Sequence, residues 1–383
     1  MQRADLFRRL IGATRPDHLL RIAAEQCASL AGRYGEPGER LARASRVVIY
    51  GAGLYGRQVH AAWNGRVSGL MGFVDSDRTK WRTSWRGLAI RDPDALSSDW
   101  SDCLVVVAAM ETHGITERLR PLDVQTLYAE RDGSVGEIPG HWLLRQHNLL
   151  QDLYEQLADD TSRRVLLETV KARMFQEFHF PMKGNWFTAN CASTPQYFPP
   201  DILSQCDAET FIDCGAFDGD TTIDFFANSW RAGARECKAL AIEADEANVR
   251  TTRRNLDEYG LRDVLVLHRT LGLQHESIHH CRDNSLPRLG APLRLDDLEL
   301  PRSPLYLKMD IEGAELETLQ EAARLIESRQ PRIAVCTYHS TRDLLRIPRH
   351  LLERHPDYRL FLRHHRAGSL WETVCYAMPR SAA

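Results

Sequence analysis

Three short apolar runs in the second half of this 383-residue chain lead to carboxylates at Asp213, Glu243 and Asp310. Such a run followed by an acid is typical of a buried parallel strand that ends in a polar side chain. The carboxyl ends of parallel strands meet at one edge of an open sheet, where ligands bind. The order of these acids therefore predicts a nucleoside-binding edge in an α/β sheet.

A glycine turn follows the first acid. Gly215 and Gly219 stand four residues apart, with Ala216 between them, and Asp220-Thr221 opens an apolar helical pattern. Glycine is needed where φ is positive or where a ligand approaches the backbone closely. Asp220 and Thr221 are expected to cap the helix, whose free N–H groups can take an anionic group. The alternative is a structural turn with an N-cap and no ligand.

The chain from about residue 197 to residue 379 resembles the FkbM family of S-adenosylmethionine-dependent methyltransferases. The resemblance implies a class I methyltransferase fold, S-adenosylmethionine as cofactor and methyl transfer to oxygen, and it leaves the acceptor unnamed. The segments that carry it are Asp213-x-Gly215-Ala216-x-x-Gly219-Asp220-Thr221, Ile242-Glu243-Ala244-Asp245-x-x-Asn248, Leu307-Lys308-x-Asp310-Ile311-Glu312-Gly313-Ala314-Glu315, Tyr338-His339, Leu362-Arg363-His364-His365, Glu372 and Tyr376-Ala377-Met378-Pro379.

With that cofactor, each predicted binding residue has a physical role. Asp213 would meet the methionine ammonium, directly or through water, and Glu243 would accept both ribose hydroxyls. Thr270 follows the third strand, where the family places the loop that flanks the base. The full predicted set is Asp213, Gly215, Ala216, Gly219, Asp220, Thr221, Glu243 and Thr270.

Four residues are predicted to act on the acceptor hydroxyl. Lys308, Asp310 and Glu312 alternate at period two, so on an extended strand they would share one face. Asp310 would be the general base or would orient the hydroxyl. Lys308 would pair with Asp310 or stabilise a developing alkoxide. His339 is a second candidate for the base, at a neighbouring strand end. The alternative for Lys308, Asp310 and Glu312 is a structural salt bridge. No metal site is expected.

The N-terminal part carries a second glycine turn. A β-branched run leads into Gly51, Gly53 and Gly56, and the next predicted strand ends at Asp75. This is the strand–turn–helix context that a dinucleotide fingerprint requires. The segment looks like nucleotide-sugar-binding or small NAD-binding domains, so it is expected to bind a nucleotide sugar or NAD. The alternative is a structural or docking module.

These patterns predict an α/β protein with two doubly wound, Rossmann-like domains joined by a helical segment. We expect an N-terminal helical segment at 1–45, a nucleotide-binding domain at 46–135, a helical linker and loop at 136–200, and a methyltransferase domain at 201–383. The predicted strands of the last domain lie near 210–213, 239–243, 264–268, 305–310, 332–337, 358–363 and 371–377.

Composition limits the partners. The net charge of −3 gives no electrostatic reason to expect a nucleic acid. The apolar run Leu104–Met110 falls far short of the roughly 20 residues of a membrane helix, and no signal-peptide pattern follows Met1, so a cytoplasmic protein is expected. The expected partner is a small-molecule or glycan hydroxyl acceptor, and a homo-oligomer stays open. The competing function is a nucleotide-sugar- or NAD-binding protein with a degenerate methyltransferase fold.

Overall fold

A computed structural model describes residues 3–176, 179–180, 184–192, 195–204, 208–272 and 292–380. The chain divides into two compact units. The first comprises Met1–Tyr154, Leu166–Asn190 and Gly368–Leu370, and the second comprises Glu155–Val165, Cys191–Ala367 and Trp371–Ala383. Each unit contains one seven-stranded sheet.

The elements up to residue 190 alternate between helices and short strands, as α/β architecture requires. They are α1 (Arg3–Ile11), α2 (Pro16–Tyr34), α3 (Pro37–Arg43), β1 (Val47–Tyr50), α4 (Leu54–Trp63), β2 (Leu70–Val74), β3 (Thr83–Trp85), β4 (Leu88–Arg91), β5 (Leu104–Val107), α5 (His113–Leu119), β6 (Thr126–Ala129), β7 (Val135–Gly136), α6 (Trp142–Arg145), α7 (His147–Gln156), α8 (Asp160–Met174), β8 (His179–Phe180), β9 (Gly184–Asn185) and α9 (Trp186–Ala189).

The first sheet has the strand order β3-β4-β2-β1-β5-β6-β7. Its four central strands read as continuous apolar runs because helices cover both faces of the parallel part. Every residue of β1 and β5 is buried. Strand β1 pairs with β2 on one side and with β5 on the other, so the sheet extends in both directions from the strand that precedes the glycine turn.

The second unit repeats the alternation with longer strands. Its elements are β10 (Thr210–Cys214), α10 (Asp220–Arg231), β11 (Lys238–Glu243), α11 (Glu246–Glu258), β12 (Val264–His268), β13 (Leu305–Met309), α12 (Glu315–Glu321), α13 (Ala323–Arg329), β14 (Arg332–Cys336), α14 (Asp343–Arg354), β15 (Tyr358–His364) and β16 (Thr373–Pro379).

The second sheet has the order β12-β11-β10-β13-β14-β16-β15. Strands β10 to β14 pair in parallel, and β16 enters antiparallel between β14 and β15. The chain leaves β10 toward β11 on one side and later returns to β13 on the other. The gap between β10 and β13 is thus the topological switch point, where open α/β sheets bind ligands.

The predicted α/β class with two doubly wound sheets is confirmed, and all seven predicted strands of the second sheet are present. Strand β13 ends at Met309, one residue before Asp310, and helices α12 and α13 follow it with a break at Ala322. Among the residues described, no helix combines the length and apolar character needed to cross a membrane.

Candidate active site

Asp213 and Lys308 face each other at the switch point. They are register partners on β10 and β13, and Lys308 Nζ lies 2.9 Å from Asp213 Oδ1. The same ammonium donates to the Gly215 carbonyl oxygen at 2.6 Å, and Thr222 Oγ1 donates to Asp213 Oδ2 at 2.7 Å. The two charged side chains are 3% and 0% exposed. They form an internal pair under the glycine turn.

The charge state of this pair follows from its geometry. Burial alone would lower the pKa of Lys308, but the Asp213 and Asp310 carboxylates outweigh it and raise the pKa above its ordinary value. Burial raises the pKa of Asp213, while Lys308 and Thr222 act in the opposite direction. A charged pair is the state that satisfies both groups. Lys308 therefore pairs with Asp213, and the predicted pairing of Lys308 with Asp310 was wrong.

The glycine turn packs tightly against the end of β13. Gly215 has φ +82°, and a Cβ there would lie 1.9 Å from the carbonyl oxygen of Asp310. Only glycine fits at such an approach. The helix N-cap is Gly219, so the prediction that Asp220 and Thr221 cap α10 was wrong; both lie in its first turn, where Asp220 Oδ1 accepts from the Thr221 N–H at 2.6 Å. The main chain of the turn runs through Ala216, which is buried.

Glu243 ties the end of β11 to this turn. Its Oε2 accepts from the Phe217 N–H at 2.8 Å, and its Oε1 accepts from the Asp245 N–H at 2.7 Å. Burial raises the pKa of Glu243, and the backbone donors oppose that rise. A carboxylate can accept about four hydrogen bonds, so Glu243 can hold the turn and still accept hydroxyls from a ligand.

Thr270 lies just beyond β12 on the same side of the sheet. It is buried, and its carbonyl oxygen accepts from the Leu293 N–H at 2.8 Å. Residues 273–291, between Thr270 and Leu293, lie outside the described part of the chain. The place of Thr270 beside the base of the cofactor stays a prediction.

Asp310 stands beyond the end of β13 with 25% of its side chain exposed. Tyr197 donates its hydroxyl to Oδ2 at 2.8 Å, and Tyr338 donates to Oδ1 at 2.9 Å. Burial works to raise the pKa of Asp310, but Lys308, His339 and the two tyrosine donors together lower it below its usual value. This carboxylate is therefore ionised and only weakly basic, which favours orientation of a hydroxyl over full removal of its proton.

His339 lies between two carboxylates. Its Nδ1 is 2.9 Å from Glu315 Oε1, and its Nε2 is 3.4 Å from Asp310 Oδ1. Burial alone would lower the pKa of His339, but Glu315 and Asp310 raise it to about 9. The imidazole is thus protonated at neutral pH and cannot accept a proton in this state. The arrangement favours an electrostatic role over the base role considered from the sequence.

Glu312 departs from its predicted place. It lies beyond the end of β13 with φ +56°, so it does not alternate with Lys308 on a strand face. Its side chain is 55% exposed, with Oε2 3.7 Å from His339 Nε2. The buried acid next to it is Glu315, whose Oε1 accepts from the N–H groups of Ile311 and Gly313 at 2.8 and 3.3 Å. Glu315 therefore fixes the loop that carries Asp310.

Asp310, Glu315 and His339 each offer one ligand atom, and these atoms lie within 4.8 Å of one another. Such a group could hold a metal ion. Both nitrogens of His339 face carboxylates, so the same three residues form an ion-pair network when His339 is protonated.

The N-terminal glycine turn has its own acid. Asp75 Oδ2 accepts from the Ala52 N–H at 2.7 Å, and Oδ1 accepts from the Asp77 N–H at 2.8 Å. Lys80 Nζ lies 3.1 Å from Asp75 Oδ2. A Cβ on Gly56 would lie 1.8 Å from the Gly51 carbonyl oxygen, so the third glycine lets α4 pack on the turn. Gly53 is the N-cap of α4.

Sequence reasoning missed Tyr197 and Tyr338 as partners of Asp310, and Glu315 as the partner of His339. Tyr338 and Glu315 both belong to segments that carry the family resemblance, which was the available signal. Tyr197 lies 113 residues from Asp310 and shares no local pattern with it. Only the folded chain brings its hydroxyl to the carboxylate.

A solved structure shares this fold. A crystal structure of the methyltransferase FkbM from Methylobacillus flagellatus KT matches with a TM-score of 0.61 and 22% identity, over 94% of this chain and 99% of that chain. Precorrin-6y C5,15-methyltransferase from Geobacter metallireducens matches at TM-score 0.29 and 17% identity, over 46% of this chain and 82% of its own. An S-adenosylmethionine-dependent methyltransferase from Aquifex aeolicus matches at 0.29 and 14%, over 46% and 85%.

No curated protein matches the chain significantly. The model of the methyltransferase FkbM domain matches residues 291–368. These residues include β13, β14, the helix α12 that begins at Glu315, and the loops that bear Asp310 and His339. The second unit therefore contains a segment that matches the methyltransferase FkbM domain, and a solved FkbM methyltransferase has a similar fold.

Proposed function

We propose that the second unit is an S-adenosylmethionine-dependent O-methyltransferase that acts on a hydroxyl of a sugar, glycan precursor or related metabolite. The observation that carries this proposal is the position of Asp310. Its ionised, partly exposed carboxylate stands at the switch point, and the carbonyl oxygen of the same residue packs against Gly215 of the glycine turn. The methyl-donor site and the acceptor site would then meet at this carboxylate.

The residues around the turn fit the cofactor. Glu243 would accept the ribose hydroxyls while it holds the turn, and the N–H groups at the start of α10 would take the carboxylate of the methionine moiety. Because Asp213 is fully buried and paired with Lys308, it would support the turn from below rather than contact the ammonium directly. Bound S-adenosylmethionine supplies an electrophilic methyl group.

Asp310 would then serve the acceptor. The attacking hydroxyl gains positive charge as its bond to the methyl carbon forms and the bond from that carbon to sulfur breaks. An ionised carboxylate beside the oxygen would stabilise that charge until the hydroxyl proton passes to water. The donors on Asp310 hold the carboxylate in place, since Tyr197 contacts Oδ2 at 2.8 Å and Tyr338 lies 2.9 and 3.0 Å from the two oxygens. Alignment of donor and acceptor supplies much of the rate in such a transfer.

Two measurements test this function. Calorimetry with S-adenosylhomocysteine should show binding to the wild-type protein, and mass spectrometry of acceptor mixtures with S-adenosylmethionine should show a methyl mass increase. Binding with no product from any hydroxyl acceptor would favour the degenerate-fold alternative. Absence of binding would contradict the proposal.

A second function is favoured by one observation in the first unit. Asp75 accepts from Ala52 N–H in the glycine turn and from Asp77 N–H, which repeats the pattern of Glu243 with Phe217 and Asp245. We propose a nucleotide sugar or NAD as ligand at Gly51, Gly53, Gly56 and Asp75. A thermal shift with a UDP-sugar or NAD that is lost in Asp75→Asn would support it, and no shift with either would favour a docking module.

A further inference from the structure

A second carboxylate stands near Asp310. Glu372 lies just before β16, and its carbonyl oxygen accepts from the His365 N–H at 2.9 Å across the β15–β16 connection. Its φ is +71°, a conformation that side-chain-bearing residues rarely adopt. Such strain persists where the surroundings hold it and is concentrated at ligand-binding positions. Glu372 is therefore a candidate ligand-binding residue, to be judged by what its side chain contacts.

The hydrogen bonds of Glu372 lead toward Asp310. Gln196 Nε2 donates to Glu372 Oε2 at 2.6 Å. Burial and the Asp310 carboxylate raise the pKa of Glu372, while Gln196 and Tyr338 lower it. Tyr338 donates its hydroxyl to Asp310 at 2.9 Å. Because a carboxylate can accept about four hydrogen bonds, hydroxyl groups of a ligand could supply further donors to Glu372.

An aromatic surface adjoins the two acids. Trp371, next to Glu372 in sequence, is partly exposed. Its ring meets Tyr338 edge-on with centroids 5.6 Å apart, and it lies 6.4 Å from the ring of His339. An indole offers a large, rigid apolar surface with fixed geometry. A pyranose ring presents one apolar C–H face and an edge of hydroxyls, which matches an indole beside carboxylate and amide groups.

We propose that Trp371, Glu372 and Gln196 form the acceptor subsite, and that the acceptor is a pyranoside whose C–H face stacks on Trp371 while its hydroxyls bind Glu372 and Gln196. This inference rests on the proposed methyl transfer at Asp310 and specifies its substrate class. Another hydroxyl of the same sugar would bind Asp310, because Tyr338, which donates to Asp310, lies beside the Trp371 ring. Glu372 and Trp371 then determine specificity, while Asp310 acts on the reacting oxygen.

Saturation-transfer NMR on the full chain tests this subsite. The probes are methyl α-D-glucopyranoside, methyl α-D-mannopyranoside and methyl α-L-rhamnopyranoside, each added to protein saturated with S-adenosylhomocysteine. We expect transfer to at least one glycoside, strongest at the protons of one ring face. Trp371→Ala and Glu372→Gly should each weaken that binding about tenfold or more.

The variants separate the subsite from the fold and from the cofactor site. Glycine tolerates φ +71°, so Glu372→Gly removes the carboxylate without adding backbone strain. Trp230→Ala, which removes an exposed tryptophan on α10, is the matched control. All three variants should bind S-adenosylhomocysteine as the wild type does. If the wild type binds S-adenosylhomocysteine but shows no saturation transfer to any of these glycosides, the inference is overturned. Unchanged glycoside binding in both subsite variants would also overturn it. If the wild type does not bind S-adenosylhomocysteine, the proposed function itself is overturned.

Discussion

Lys308 holds Asp213 in an ion pair 2.9 Å long between adjacent parallel strands, and the same ammonium reaches the Gly215 carbonyl oxygen. The pair therefore joins the two strand ends that border the switch point to the turn above them. Neither side chain is more than 3% exposed, so solvent does not screen their interaction. The role of both residues is to position the turn.

Loss of one partner should destabilise the second unit strongly. Lys308→Met leaves the Asp213 carboxylate buried without its counter-ion, which typically costs about 3–5 kcal/mol. We expect the midpoint of urea unfolding, followed by tryptophan fluorescence, to fall accordingly. Arg250→Met removes an exposed ion pair with Glu246 and should leave the midpoint unchanged. A Lys308→Met midpoint equal to that of the wild type would show that the pair contributes nothing.

Glu243 should matter to cofactor affinity. Its removal takes away charge-assisted acceptors for the ribose and also frees the Phe217 and Asp245 N–H groups that it holds. Calorimetry on Glu243→Ala should show S-adenosylhomocysteine binding about tenfold weaker, or about 1.4 kcal/mol. Glu246→Ala, an exposed acid on α11, is the control. Wild-type affinity in the Glu243 variant would remove Glu243 from the binding site.

Much of the fold was predictable because its signals are local. Apolar runs and glycine turns consist of consecutive residues, and the strands and helices lie where those patterns occur. The site was less predictable because its contacts join distant segments. Period-two spacing suggested Asp310 as the partner of Lys308, but β13 ends at Met309 and the partner lies on the neighbouring strand. Side-chain pairing across a sheet depends on register, which one strand alone does not reveal.

Asp310 should govern turnover more than cofactor binding. Asp310→Asn keeps the shape of the side chain and removes its charge, so the transition state loses stabilisation of the charge on the acceptor oxygen. We expect kcat to fall by about two orders of magnitude, within the usual range for loss of such a group. Steady-state kinetics with an identified acceptor measure this. The affinity for S-adenosylhomocysteine should stay unchanged, and a wild-type kcat in this variant would exclude the role.

The tyrosine donors should tune the same carboxylate. Tyr197→Phe and Tyr338→Phe each remove one hydroxyl that lowers the pKa of Asp310. Asp310 would then protonate at higher pH in each variant. Because the pKa of Asp310 is raised, the acidic limb of the pH profile of kcat should move to higher pH than in the wild type. An acidic limb that stays in place in both variants would mean that a different group controls it.

His339 should make the stability of the protein depend on pH. Glu315 and Asp310 raise the pKa of His339 to about 9 in the folded chain, against about 6.5 when it is unfolded. The folded state therefore binds the proton more tightly, and this stabilisation is fully present below pH of about 6.5 and is lost as the pH rises through about 9. The difference is on the order of 3 kcal/mol. His339→Gln lacks the titrating group and should lose less stability over this interval.

Unfolding free energies of the wild type and His339→Gln at several pH values isolate this contribution, since the other titrating groups are shared by both proteins. The stability advantage of the wild type should shrink between pH of about 6.5 and 9.5. Glu315→Gln removes the carboxylate nearest to Nδ1, so it should lower the pKa of His339 and move the decline to lower pH. A difference between wild type and His339→Gln that stays constant over the whole interval would show that His339 is not held as an imidazolium, and the network with Asp310 and Glu315 would have to be reconsidered as neutral.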